Sequence, residues 1–196
     1  MIQALAKPVL IAGAGISGVS CALTLREAGV PFRIVNKGHK IGGRMASREV
    51  RDSGTKFDGR VFDTGASYFT ISDPDFKVVC AELEVAGIVQ PWTDTFHFAH
   101  SGGIAGVKAG PMRYRAEGGI RSVVEYLARD LDIAEGEVTQ VPTDERLALC
   151  MPGPQAARIF PAASELSGAV WEPVISVSLL FDQVYWADFN GIFVNE

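Results

Sequence analysis

Near the start of the chain, Gly13, Gly15 and Gly18 form a G-x-G-x-x-G pattern. Glycines at that spacing occur by chance in many turns, so the context decides. The pattern follows the apolar run Pro8 to Ala12 and opens a stretch of helical periodicity reaching about Ala28, with Val19, Ala22, Leu23 and Leu25 as apolar positions and Gly29 as the stop. Between a strand and a helix each glycine has a mechanical task. Gly13 permits the tight turn, Gly15 lets the backbone approach a pyrophosphate, and Gly18 allows helix and sheet to pack closely. Ile16 and Ser17 complete a turn whose helix N-terminus offers N–H groups and a positive dipole end to phosphates. A hydrolase nucleophile elbow would need G-x-S-x-G, and after Ser17 the second glycine comes one residue too soon. The spacing predicts dinucleotide binding.

A site of this kind carries an acidic residue about twenty positions further on, at the end of the second strand, for the ribose hydroxyls. Phe32 to Val35 reads as that strand, and the position falls on Asn36. An amide can accept from and donate to ribose hydroxyls, but it lacks the charge that repels a 2′-phosphate. Lys37, His39 and Lys40 follow directly, so an NADP(H)-binding domain is an alternative on local chemistry, beside the plainer reading of a solvated basic loop.

The elements that must position these residues begin with a βαβ unit over residues 8 to 35, which implies a parallel sheet with a right-handed crossover. Helical spacing of Phe76, Val79, Cys80 and Leu83 predicts a helix over Asp75 to Ala86 capped by Ser72 or Asp73. Alternation around Trp92, Phe96 and Phe98 predicts a strand and hairpin turning at Ser101-Gly102-Gly103, its aromatics serving a core before a substrate pocket. Gly119 to Leu131 reads as a helix, Val138 to Val141 and Leu147 to Met151 as short strands, and Gln155 to Phe160 as a helical turn or two. Val174 to Phe181 reads as a long apolar strand and Gly191 to Val194 as a last one.

The 196 residues are 47% hydrophobic and 21% charged, the composition of a globular protein, with length for one domain or two. A net charge of −5 argues against a nucleic-acid partner, which would require a basic stripe. Cys21, Cys80 and Cys150 are odd in number and far apart, indicating neither a disulfide framework nor zinc. His97 and His100 have a spacing that would suit two metal ligands on a helix, but they fall in a strand-like stretch without acidic or Cys neighbours, so no metal is expected. Lys7 with the run Pro8 to Leu25 mimics a signal peptide or a span. Its glycines interrupt it, and Arg26 and Glu27 close it without a small-residue cleavage site. A cytoplasmic protein without a membrane partner is expected.

Gly42-Gly43-Arg44-Met45-Ala46-Ser47 resembles the G-G-R-x-x-[S/T] motif of the flavin-containing amine oxidase superfamily, and Phe62-Asp63-Thr64-Gly65-Ala66-Ser67-Tyr68-Phe69-Thr70 resembles its F-D-x-G-x-x-x-F segment. With VLIAGAGISG, the combination is most similar to renalase-like NAD/FAD-dependent oxidoreductases. Arg113 to Leu131 and Met151 to Ile159 match later family segments, so the likeness runs over essentially the whole chain. It implies an α/β fold: a Rossmann-like FAD/NAD(P)-binding parallel sheet, residues 1–72 and 112–168, with an inserted mixed α+β substrate domain, residues 73–111 and 169–196. It also implies FAD as cofactor, a substrate hydride passing to flavin N5, reoxidation by dioxygen or another acceptor, and an amine or a reduced nicotinamide species as substrate. On the family pattern Arg44 meets the FAD pyrophosphate, with Gly43 and Met45 beside it; Gly65, Ala66 and Tyr68 lie by the flavin, and Val138 contacts the cofactor. The chain departs from the family at Asn36, where Glu is usual, and in length, since members continue further and return with a Gly-Asp segment. A truncated, non-catalytic FAD-binding remnant and self-association through an unpaired strand edge are therefore also expected alternatives.

Overall fold

The computed structural model describes residues 7–164, 169–186 and 189–194. The remaining positions, and with them the expected domain limits at 1, 168 and 196, lie outside the described residues. The chain divides into two compact units, residues 1–46 with 124–176 and residues 47–123 with 177–196. The divisions at 46/47 and 123/124 differ from the expected limits of 72 and 112, each falling inside a segment expected to belong to the FAD-binding domain.

In the first unit, Val9–Ala12 forms β1, buried throughout, as an apolar strand flanked on both sides must be. Helix α1, Ile16–Glu27, returns the chain to β2, Phe32–Asn36. Gly29 ends the helix at φ +64°, with Val30 N–H donating to the Leu25 carbonyl at 2.9 Å. The second unit begins with a two-stranded ribbon, β3 (Ser47–Glu49) and β4 (Val61–Asp63), followed by the short β5 (Phe69–Thr70). Helix α2, Pro74–Val85, starts where Asp73 accepts from the Asp75 and Phe76 amides, both at 2.9 Å. Strands β6 (Val89–His100) and β7 (Gly103–Ala116) make the expected hairpin, and α3 covers Arg121–Leu127. Then come β8 (Ile133–Glu135), β9 (Arg146–Leu149), α4 (Gly153–Ile159) and β10 (Ile192–Val194).

The first unit's sheet runs β8-β2-β1-β9, all parallel. Ile11, Ala14, Ala22 and Ile34 form one cluster of its core, and Val19, Val124 and Ala128 another. The second unit's main sheet runs β10-β6-β7-β5. No helix among the described residues is long and apolar enough to cross a membrane.

Two expected strands are corrected. The strand placed at Val138 to Val141 lies earlier, at β8, because Ile133 to Glu135 matches Ile34 to Asn36 in register; Gly136 N–H then bonds the Asn36 carbonyl at 3.0 Å and the chain leaves the sheet. Val174 to Phe181 is not a strand. It has no partner strand among the described residues, and its apolar side chains are exposed, Val174 by 89% and Ile175 by 88%. Apolarity favours a strand, but only a neighbouring backbone makes one.

A second-unit network gives two motif residues a structural task. The Asp63 carboxylate accepts from Ser47 Oγ at 2.6 Å and from the Ile120 amide at 2.8 Å, while Ser47 Oγ accepts from the Arg121 amide at 3.0 Å. Together they satisfy amides at the start of α3, where Ile120 is fully buried. Asp63→Ala should leave the Ile120 amide and the Ser47 hydroxyl without their acceptor and cost about 1–3 kcal/mol. Ser47→Ala, which keeps the Asp63 bond to Ile120, should cost less. Urea unfolding midpoints of the two variants check the order.

Candidate dinucleotide site

The glycine turn carries two kinds of glycine. Gly13 sits at φ +109°, and a Cβ added there would lie 2.6 Å from the Cys150 carbonyl oxygen. A Cβ at Gly18 would lie 1.9 Å from the Gly13 carbonyl oxygen. The protein's own packing demands both residues. Gly15 differs. Its φ is −77°, and a Cβ there would meet nothing nearer than 3.7 Å. The fold has room for a side chain at Gly15, and the space it would take borders a cavity.

Helix α1 starts at this turn with no side-chain cap and no acidic residue in its first turn. Its leading N–H groups and positive dipole end are therefore open to an anion. The second glycine motif lies alongside. Gly42 pairs with Gly15 as an isolated parallel bridge, its N–H donates to the Ala14 carbonyl at 2.9 Å, and Met45 N–H closes a turn onto the Gly42 carbonyl.

The cavity measures about 700 Å³ and opens at the C-terminal ends of β1, β2, β8 and β9. In chain order the sheet extends from β1 to β2 and β8 on one side, then places β9 on the other, so β1 and β9 flank the point where an open α/β sheet binds its ligand. The cavity brings together Gly13, Gly15, Ile16, Ser17, Asn36, Lys37, Gly43, Arg44, Met45 and Val138. Gly18 lies behind its wall, in contact with Gly13. Gly65, Ala66 and Tyr68 belong to the second unit, between β4 and β5.

Asn36 is more occupied than its sequence position suggests. Its Oδ1 accepts from the Ala14 amide at 3.1 Å, and Nδ2 donates to the Gly38 carbonyl at 2.5 Å and the Lys40 carbonyl at 3.3 Å. With both amide hydrogens committed, it can accept from a ribose hydroxyl but no longer donate to one. The basic loop is likewise engaged. Lys37 pairs with Glu137 at 2.7 Å, and His39 Nδ1 lies 2.7 Å from Glu135.

Sequence reasoning missed Glu137, Cys150, Met151, Gln155 and Arg158, which also line the cavity. The signal was the strand-to-helix step at Met151 to Ile159, whose place opposite the glycine turn only the sheet order reveals. Burial, with smaller contributions from the adjoining Cys21 thiol, pushes the Cys150 thiol up to about 11, so it stays protonated and a poor nucleophile near neutral pH.

In the second unit, Tyr68 packs its ring 5.5 Å from Phe96 and 6.0 Å from Trp92. The buried Arg113 places its guanidinium 3.9 Å over Phe96 and 5.6 Å over Tyr68. The aromatics of β6 thus pack around a cation that no sequence pattern announces. His97 and His100 lie on β6, and no group of metal-ligating side chains occurs among the described residues.

Residues 11–83 match the family model of the NAD(P)-binding Rossmann-like domain. L-amino-acid oxidase 4 of Hebeloma cylindrosporum is 36% identical over 67 residues, covering 34% of this chain and 10% of that protein. Carotenoid 3,4-desaturase of Haloarcula japonica is 34% identical over 67 residues, covering 34% of this chain and 12% of that protein. The chain thus spans about a tenth of the length of these curated relatives. Among solved structures, putrescine oxidase aligns at 25% identity with a TM-score of 0.36, over 54% of this chain and 22% of that one. The matched stretch contains the glycine turn, Asn36, Gly42 to Arg44 and Phe62-Asp63, and its α/β fold with a parallel sheet is Rossmann-like.

Proposed function

We propose that this chain is the cofactor-binding part of an FAD-dependent oxidoreductase of the amine-oxidase type, renalase-like in its motifs. The observation that carries the reading is Gly15: a glycine that the fold does not require, beside an uncapped helix N-terminus, in a cavity that also holds Gly43 and Arg44. These features fit a pyrophosphate. The turn and α1 supply N–H donors, and Arg44, whose guanidinium lies 6.0 Å from the Trp171 ring centroid, supplies a positive charge at the cavity wall. Asn36 braces the turn that presents those donors, and Val138 lines the part of the cavity at the exit of β8. When bound, FAD supplies hydride acceptance from a substrate at flavin N5 and onward transfer to dioxygen or another acceptor. The substrate class supported by the motif resemblance is an amine or a reduced nicotinamide species.

The NADP(H) alternative is disfavoured by the ion pairs. Two of the residues in the Lys37 to Lys40 loop that would receive a 2′-phosphate, Lys37 and His39, already face Glu137 and Glu135, whose carboxylates would repel it. FAD carries no such phosphate.

The purified chain should be yellow, and denaturation should release FAD. Bleaching by an amine or a reduced nicotinamide would support the oxidoreductase, bound flavin that no substrate bleaches would support the non-catalytic remnant, and a colourless protein unable to take up FAD would refute the reading. Gly15→Val should lose flavin while keeping the thermal unfolding temperature of flavin-free wild type, whereas Gly18→Ala should lose flavin and unfold below that temperature. Arg44→Ala should weaken FAD binding about tenfold or more, the loss of one charge-assisted contact of about 1.5–3 kcal/mol. The exposed apolar side chains between Val170 and Phe181 further support self-association, which light scattering would register as a mass above that of the monomer.

A further inference from the structure

We propose that the carboxylate recognising the adenosine ribose in this chain is Glu137, at the exit of β8, and that the role has moved there from the end of β2. The inference rests on the FAD reading above and deepens it. At the end of β2, Asn36 has spent both amide hydrogens on the carbonyls of Gly38 and Lys40 and part of its oxygen on the Ala14 amide. One lone pair is a poor match for two vicinal hydroxyls.

Glu137 has what Asn36 lacks. The Gly136 amide bonds the Asn36 carbonyl at 3.0 Å, which pins the chain leaving β8 against the end of β2, and Glu137 is the next residue. It lines the same cavity as Asn36, Lys37 and Val138. Its Oε1 takes the Lys37 ammonium at 2.7 Å, and its second oxygen has no protein partner among the described residues. The side chain is 53% exposed, so a ligand can reach it. A carboxylate held from one side by a lysine and open on the other can accept both hydroxyls of a ribose, and it repels a 2′-phosphate. Lys37 is then a positioning residue. Glu135 is the internal control: it is also acidic and also lies against a side chain of the same loop, the His39 imidazole, but it does not line the cavity.

The test separates ribose recognition from general charge by changing the ligand and the protein together. Isothermal titration of the 196-residue chain with FAD, ADP and 2′,3′-dideoxy-ADP should show wild type preferring ADP to the dideoxy compound by about tenfold or more, the range of a hydrogen bond to a charged acceptor. Glu137→Gln and Glu137→Ala should lose that preference and bind FAD correspondingly more weakly, whereas Glu135→Gln should keep both. A Glu137→Gln protein that still prefers ADP, a Glu135→Gln protein that loses the preference equally, or a wild type that binds FAD without any preference for the ribose hydroxyls would each overturn the inference and leave the FAD reading standing. A wild type that binds neither FAD nor ADP would overturn both.

Discussion

The Gly13 carbonyl and the Gly18 backbone occupy the space that one side chain would need. Everything in the first unit that could bind a ligand depends on that approach. Because no Cβ stands between β1 and α1, the helix begins directly at the strand end, with Gly15, Ile16 and Ser17 lining the cavity. The cost of a methyl group at 1.9 Å from a carbonyl oxygen is not one that rotamer changes can relieve, since both partners are backbone. On the far side of the turn, Cys150 of the β9 exit closes against Gly13 with the same intolerance, so the crevice walls are set by three stretches of main chain in contact.

Set against this rigid side, Gly15 and the Gly42–Gly43 pair touch only at ordinary distances. A turn packed tightly on one face and loosely on the other holds its donors in place while leaving room in front of them. That is the arrangement a preorganised anion site requires: the donors pay no ordering cost when the ligand arrives.

In the second unit the resemblance motifs carry an unexpected load. The serine that ends Gly42 to Ser47 and the aspartate of Phe62-Asp63 meet each other and satisfy the Ile120 and Arg121 amides. Their recurrence in a flavin-binding sequence pattern suggests ligand contact, yet here Ser47 Oγ and Asp63 Oδ1 are committed to a helix start. The Asp63 to Ile120 link spans 57 positions of sequence, which is why no local pattern shows it.

That contrast explains what was legible in advance. The βαβ unit, the Asp73 cap, the hairpin turn and the packing tasks of Gly13 and Gly18 are local consequences of residue type, and they could be read from spacing. Val138 and Val174 mark the limit: both begin stretches that read as strands, but strand formation is settled by register with a distant neighbour, which β2 gives to Ile133 and which no described segment gives to Val174. The same holds for Asn36. Its position at the end of β2 predicts a ribose contact, but its hydrogen bonds to Ala14, Gly38 and Lys40 are products of the fold. The fold also lays Glu137 beside it from the exit of the neighbouring strand β8, 101 positions away in sequence. A parallel sheet makes such a substitution inexpensive. Adjacent strand ends lie within one ligand's reach, so a function assigned to the end of one strand can be supplied from the next without moving any backbone.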